Sequence, residues 1–116
     1  MKYADIEIAP LPNDKYVVQK DIYYYNDGAL ILIPKGYVTN GADIPRIFWS
    51  IFPPNKSDFL PAVVVHDFLM DSGYDALEAD KIFRQILRDL KINETSISLL
   101  FYPMFYYHKI KGFLNG

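Results

Sequence analysis

The apolar residues change their spacing once along the chain, and that change limits the fold more than any other feature. Before Pro34, the segments Tyr16 to Gln19, Asp21 to Tyr25 and Ala29 to Ile33 are rich in β-branched and aromatic residues, as strands are. Asn26-Asp27-Gly28 separates the last two with residues that tolerate positive φ, so the pattern predicts a hairpin. Tyr3 to Ile8 predicts a further short strand, because Ile6 and Ile8 alternate with acidic neighbours; Pro10 and Pro12 should stop it. From Pro34 to Pro61, glycines 36 and 41 and prolines 34, 45, 53 and 54 leave little room for regular structure and predict a long ordered loop.

Beyond that loop the spacing becomes helical. Phe59 to Met70 is apolar except for His66 and Asp67, with Pro61 suited to a first turn and Ser72-Gly73 to a stop. Asp75 with Glu78 resembles a capping box, and Ala79, Ile82, Phe83, Ile86, Leu87 and Leu90 define an amphipathic helix to about Leu90. Asn93 can cap a third helix, kinked near Pro103 and ending around Gly112. Strands first and helices afterwards predict an α+β fold, a small antiparallel sheet packed against about three helices. At 116 residues and 51% hydrophobic, the chain is sized for a single domain over residues 1–116 with one core.

Several function classes drop away on composition. With no cysteine there is no disulfide framework, thiolate ligand or thiol nucleophile. A net charge of −2 with scattered basic residues gives no phosphate-binding stripe, so no nucleic-acid partner is expected. Met1 to Glu7 lacks the features of a secretory signal, which predicts a soluble protein of the cytoplasm, the host cytoplasm if the chain is phage-encoded. The longest uncharged apolar stretch, Ile97 to Tyr107, is far shorter than the roughly 20 residues a membrane span requires.

His66 is the residue most out of place. Phe59, Ala62, Val63, Leu69 and Met70 all lie within about 60° of it on a helical wheel, so its imidazole projects from an apolar face. A buried imidazole needs a partner at each nitrogen, since one left unsatisfied costs roughly 1 to 3 kcal/mol. Asp67 lies about 100° further round the helix, so the two can flank a crevice without facing one point. Asp80 sits at the edge of the next helix's apolar arc and can turn toward the first helix. The structural readings are a core histidine satisfied by a carbonyl or carboxylate, an Asp67 bonded to a loop, and an ordinary surface pair between Asp80 and Arg84. Asp71 and Asp75 read as helix-end and capping residues, and His108 as a cation placed near a helix C-terminus. In the loop, Asn40-Gly41 supplies a turn, Asp43 can fold back onto amides, and Pro45 rigidifies the residues after it; Thr39, Asn40, Asp43 and Arg46 are the candidate binding residues. Ile47, Phe48, Trp49, Ile51 and Phe52 would anchor that loop on the core.

These residues carry a family resemblance. Pro34-Lys-Gly-Tyr-Val-Thr-Asn-Gly-Ala-Asp-Ile-Pro45, then His66-Asp67, then Glu78-Ala-Asp80, resembles DUF1353, a small domain of unknown function found in bacteria, prophages and tailed phages. The resemblance covers roughly Ile31 to Gly112. Such proteins commonly read Thr-Asp-Gly-Ala-Ser in the loop, so Asn40 stands where Asp is usual and Asp43 where Ser is usual. An amide binds hard cations poorly and takes no proton, so Asn40 weakens a metal-binding or basic role at that position, and Asp43 compensates only if its side chain reaches the same point.

Two functions are expected on these grounds. One is an accessory protein of the phage or prophage kind, structural or binding, whose partner is a phage or host protein and whose His-Asp cluster pins loop to helices. The aromatic third helix, Phe101, Tyr102, Phe105, Tyr106 and Tyr107, offers it a partner surface. The alternative is a metal-dependent hydrolase in which His66, Asp67 and Asp80, with Asn40 or Asp43, hold a divalent cation, and His66 and Asp67 are catalytic. A carboxylate-dominated set suits Mg²⁺ or Mn²⁺ before Zn²⁺, and with only His66 and His108 the chain lacks the histidines of an HD-type phosphohydrolase centre. Peripheral attachment at a membrane or cell wall through Trp49 and the tyrosines is a third expectation, without a motif.

Overall fold

The computed structural model describes residues 6–26, 28–39 and 59–115. The fold is α+β: among the described residues, five short strands precede three helices. β1 (Ile8–Leu11) runs antiparallel to β2 (Lys15–Val18), with Ile8 opposite Val18 and Leu11 opposite Lys15. β3 (Ile22–Asn26) and β4 (Ala29–Ile33) form the expected hairpin, with Ile22 opposite Ile33 and Asn26 opposite Ala29. Gly28 has φ +81°, which the two-residue connection needs and a side chain would resist. Alternation is clean along the hairpin: Ile22, Tyr24, Ile31 and Ile33 are buried, while Tyr23, Tyr25, Leu30 and Leu32 face outward.

The strands differ in detail from the expectation. A strand lies at Ile8–Leu11 with Pro10 inside it, where a stop was expected, and Tyr3 to Asp5 of the expected Tyr3 to Ile8 strand lie outside the described residues. Proline is tolerated there because, among the described strands, β1 lies at the edge of its sheet. The segment after Pro34 also contains a strand, β5 (Val38–Thr39), which pairs with β2 through Tyr16 opposite Thr39 and Val17 opposite Val38. The described strands thus form two sheets, β1-β2-β5 and β3-β4, instead of one.

The helices among the described residues are α1 (Leu60–Asp71), α2 (Ala76–Asp89) and α3 (Glu94–Asn115). Pro61 occupies the first turn of α1, where no backbone donor is lost. Asp75 Oδ2 accepts from the Glu78 amide at 3.2 Å, and Asn93 Oδ1 from the Ser96 amide at 2.8 Å, so both expected caps form. α3 contains Pro103 and continues past Gly112 to Asn115. α1 packs on α2, α2 on α3, and β5 against α1. One buried apolar cluster runs from Val18 in β2 through Val63 and Leu69 in α1 and Phe83 in α2 to Met104 in α3. Because α1 is buried over most of its circumference, any polar residue on it must find a partner inside the fold.

α1 and α2 end alike. After α1, Gly73 adopts φ +81°, and the amides of Gly73 and Tyr74 reach the carbonyls of Met70 and Leu69 at 3.2 and 3.0 Å. After α2, Lys91 takes the same place at φ 65°, with the amides of Lys91 and Ile92 on Arg88 and Leu87 at 3.0 and 3.1 Å. A side chain in this left-handed conformation costs about 1 kcal/mol relative to glycine. Lys91→Gly is expected to stabilise the fold by about 0.5–1 kcal/mol, and Gly73→Ala to destabilise it by about 1 kcal/mol, both read by urea unfolding.

Candidate functional site

α1 carries His66 and Asp67 side by side, and its burial forces each to a different neighbour. His66 is 0% exposed, and its Nε2 lies 2.7 Å from Oδ1 of Asp80, itself 0% exposed on α2. The other carboxylate oxygen, Oδ2, is 2.6 Å from Nδ1 of His108 on α3. One carboxylate therefore bridges all three helices. An ionised carboxylate only accepts hydrogen bonds, so His66 donates from Nε2 and His108 from Nδ1, which fixes the tautomer of each neutral ring. The two imidazoles lie nearly parallel, with centroids 6.3 Å apart and planes at 24°, and Phe83 packs against His66 at 5.3 Å. His66 Nδ1 remains: it is buried and has no hydrogen-bond partner among the described residues.

Asp67 turns the other way. The Thr39 hydroxyl donates to its Oδ2, both residues being buried, and so ties β5 to α1. Two more contacts strengthen that tie from the same side of α1. The Tyr37 hydroxyl donates to Asp71 Oδ2 at 2.6 Å, and the Tyr37 ring meets Phe68 edge-on at 5.2 Å. The segment entering the Thr39 to Arg46 stretch is thus held to α1 by a buried hydrogen bond, an exposed one and an aromatic contact.

The structure brings His66 and Asp80 together as their helical positions suggested, and joins Thr39 to Asp67. It does not bring Asp67 to His66, since the two residues bond to opposite neighbours. Asp80 makes no surface pair with Arg84, whose guanidinium instead lies 4.3 Å over the Phe101 ring. His108 corrects the dipole reading: it sits within α3, well before Asn115, and bonds Asp80. Asp71 likewise does more than end a helix. Neither role had a local signal in the sequence, because each partner lies on a different element, 28 and 34 residues away. Asn40, Asp43 and Arg46, and the apolar anchor with Trp49, lie outside the described residues.

Of the expected metal set, His66, Asp67 and Asp80 are described, and Asn40 and Asp43 lie outside the described residues. Both Asp80 oxygens and His66 Nε2 are engaged with one another or with His108, and Asp67 faces Thr39. Among the described residues no group of three or more His, Asp or Glu side chains is placed to hold an ion.

Comparison with known families agrees with the loop and His-Asp pattern. Residues 16–103 match the model of a protein of unknown function, DUF1353. The chain belongs to the DUF1353 family. The DUF1353 match takes in Thr39, His66, Asp67 and Asp80 and stops short of His108 and the last turns of α3. No match was found among curated proteins or solved structures.

The geometry predicts the response to removing the bridge. Asp80→Asn keeps the shape but turns one acceptor into a donor facing an imidazole N–H, and is expected to cost about 2–4 kcal/mol in urea unfolding. In the wild type, ¹⁵N-resolved NMR of the imidazoles should find the proton of His66 on Nε2 and that of His108 on Nδ1 when each ring is neutral.

Proposed function

We propose that this DUF1353 chain is a single-domain accessory protein, structural or binding in role, in which the polar cluster holds a recognition loop on a rigid helical platform. The observation that carries the reading is the buried Thr39–Asp67 hydrogen bond, at the point where the chain enters the Asn40 to Arg46 stretch. Thr39 serves as the anchor, and Asn40, Asp43 and Arg46 as the side chains that meet a partner. The separation of the carboxylates supports this: Asp67 and Asp80 are both buried and bond different neighbours, Thr39 and the two histidines. A phage or host protein in the cytoplasm is the partner that the family resemblance suggests. No helix among the described residues is long and apolar enough to cross a membrane.

One atom favours a second reading. His66 is oriented by a carboxylate and keeps Nδ1 without a partner among the described residues, which is how general bases and metal-ligating histidines are held. That is the basis for a hydrolase, with a divalent cation completed by further ligands if it uses one.

Thermal melting separates the two. Wild type and His66→Ala are each melted with EDTA and with Mg²⁺, Mn²⁺ or Zn²⁺. The accessory reading expects no metal-specific rise in Tm and a strongly destabilised His66→Ala. A cation at about 100 times its Kd adds about 2.7 kcal/mol. Such a rise, lost in His66→Ala, would favour the hydrolase.

A further inference from the structure

α3 is apolar on two opposite sides, and the fold uses one. Ile97, Leu100, Phe101 and Met104 face the core, and His108 reaches Asp80 from the same side. Opposite them, Leu99, Tyr102, Tyr106, Ile110 and Phe113 fall within about 40° of one line along the helix, a stripe about 21 Å long at the α-helical rise. All five are exposed, Ile110 at 60% and Phe113 at 85%. From Lys109 to Leu114 every residue is exposed, so the last turns of α3 stand clear of the described body. They also lie beyond the residues matched by the family.

Charge says what such a face suits. All 14 acidic residues of the chain lie at or before Glu94; after it come Lys109 and Lys111, with no acidic residue to 116. Around the last turns Tyr106, Tyr107, Ile110, Phe113 and Leu114 span an arc of about 120°, with Lys109 and Lys111 each about 40° beyond one of its edges; Lys111 Nζ lies 5.9 Å from the Tyr107 ring centre. Two copies pressed together through this face would bury lysines against a surface with no carboxylate to pair them. A surface of anionic lipid supplies the phosphates, accepts tyrosine at the headgroup level, and takes Phe and Leu into the acyl boundary.

We infer that the outer face of α3, from Tyr102 to Leu114, lies on an anionic membrane surface, with Ile110, Phe113 and Leu114 inserted and Lys109 and Lys111 on lipid phosphates. This goes beyond the accessory reading, and neither depends on the other. The helix lies in the interface rather than spanning it.

Flotation of the full chain with vesicles tests this, using phosphatidylcholine alone and phosphatidylcholine with about one-third phosphatidylserine. Binding is expected on the anionic vesicles and not on the neutral ones, and it should weaken as salt is raised. Lys109→Glu with Lys111→Glu, and separately Ile110→Glu with Phe113→Glu, are each expected to weaken it at least tenfold while leaving Tm unchanged. Three results overturn the proposal. One is no flotation at low salt, or equal flotation of the variants. Another is a dimer in sedimentation that Phe113→Glu abolishes, which gives the face to a second copy. The third is a large fall in Tm in Phe113→Glu, which means the chain covers the face itself.

Discussion

A buried carboxylate is among the costliest groups a small core can hold, and Asp80 is tolerated because each oxygen meets an imidazole nitrogen within 2.7 Å. The two donors come from α1 and α3, so the requirement that Asp80 be satisfied sets how all three helices cross. Apolar packing of Val63, Phe83, Ile86 and Phe101 supplies the drive to assemble. It does not by itself choose one arrangement, since hydrophobic contact is non-directional and similar packings lie close in energy. The carboxylate with two fixed donors is directional, and here it serves to select one packing.

The choice made at Asp80 reaches the sheet through α1. His66 and Asp67 are consecutive, so rotating α1 to place His66 on Asp80 places Asp67 about 100° away, where Thr39 meets it. One further turn along, Asp71 meets Tyr37. Helix register and the position of β5 are therefore one setting, and the chain entering residue 40 inherits it. The arrangement accounts for Thr39, His66, Asp67 and Asp80 in a largely apolar interior without requiring them to share a ligand.

Legibility in the sequence tracks the range of each interaction. The hairpin, the Asp75 and Asn93 caps and the glycine stop after α1 are decided by residues within a few positions of each other, and all were legible. His66 was legible as a buried imidazole because its neighbours at helical spacing are all apolar, and Asp80 as its partner because helices joined by a short turn pack together. His108 was not. Its contact depends on how α3 crosses α2, and a histidine followed by Lys109 and Lys111 reads as surface. β5 was hidden because a two-residue strand has no period to detect, and Pro10 misled because an edge strand forgives the donor that proline lacks.

A double-mutant cycle on the two histidines tests the bridging role of Asp80 most directly. His66→Ala, His108→Ala and the double variant are each unfolded in urea. Among the described residues Asp80 is the group that hydrogen-bonds both rings, which also lie against each other, so the cycle is repeated in Asp80→Asn; a coupling of about 1 kcal/mol or more is expected in the wild type, and the part lost in Asp80→Asn reports the bridge. Costs that add to within about 0.5 kcal/mol would mean that the two imidazoles act independently, and would contradict the account of Asp80 as the interaction that sets the packing of all three helices.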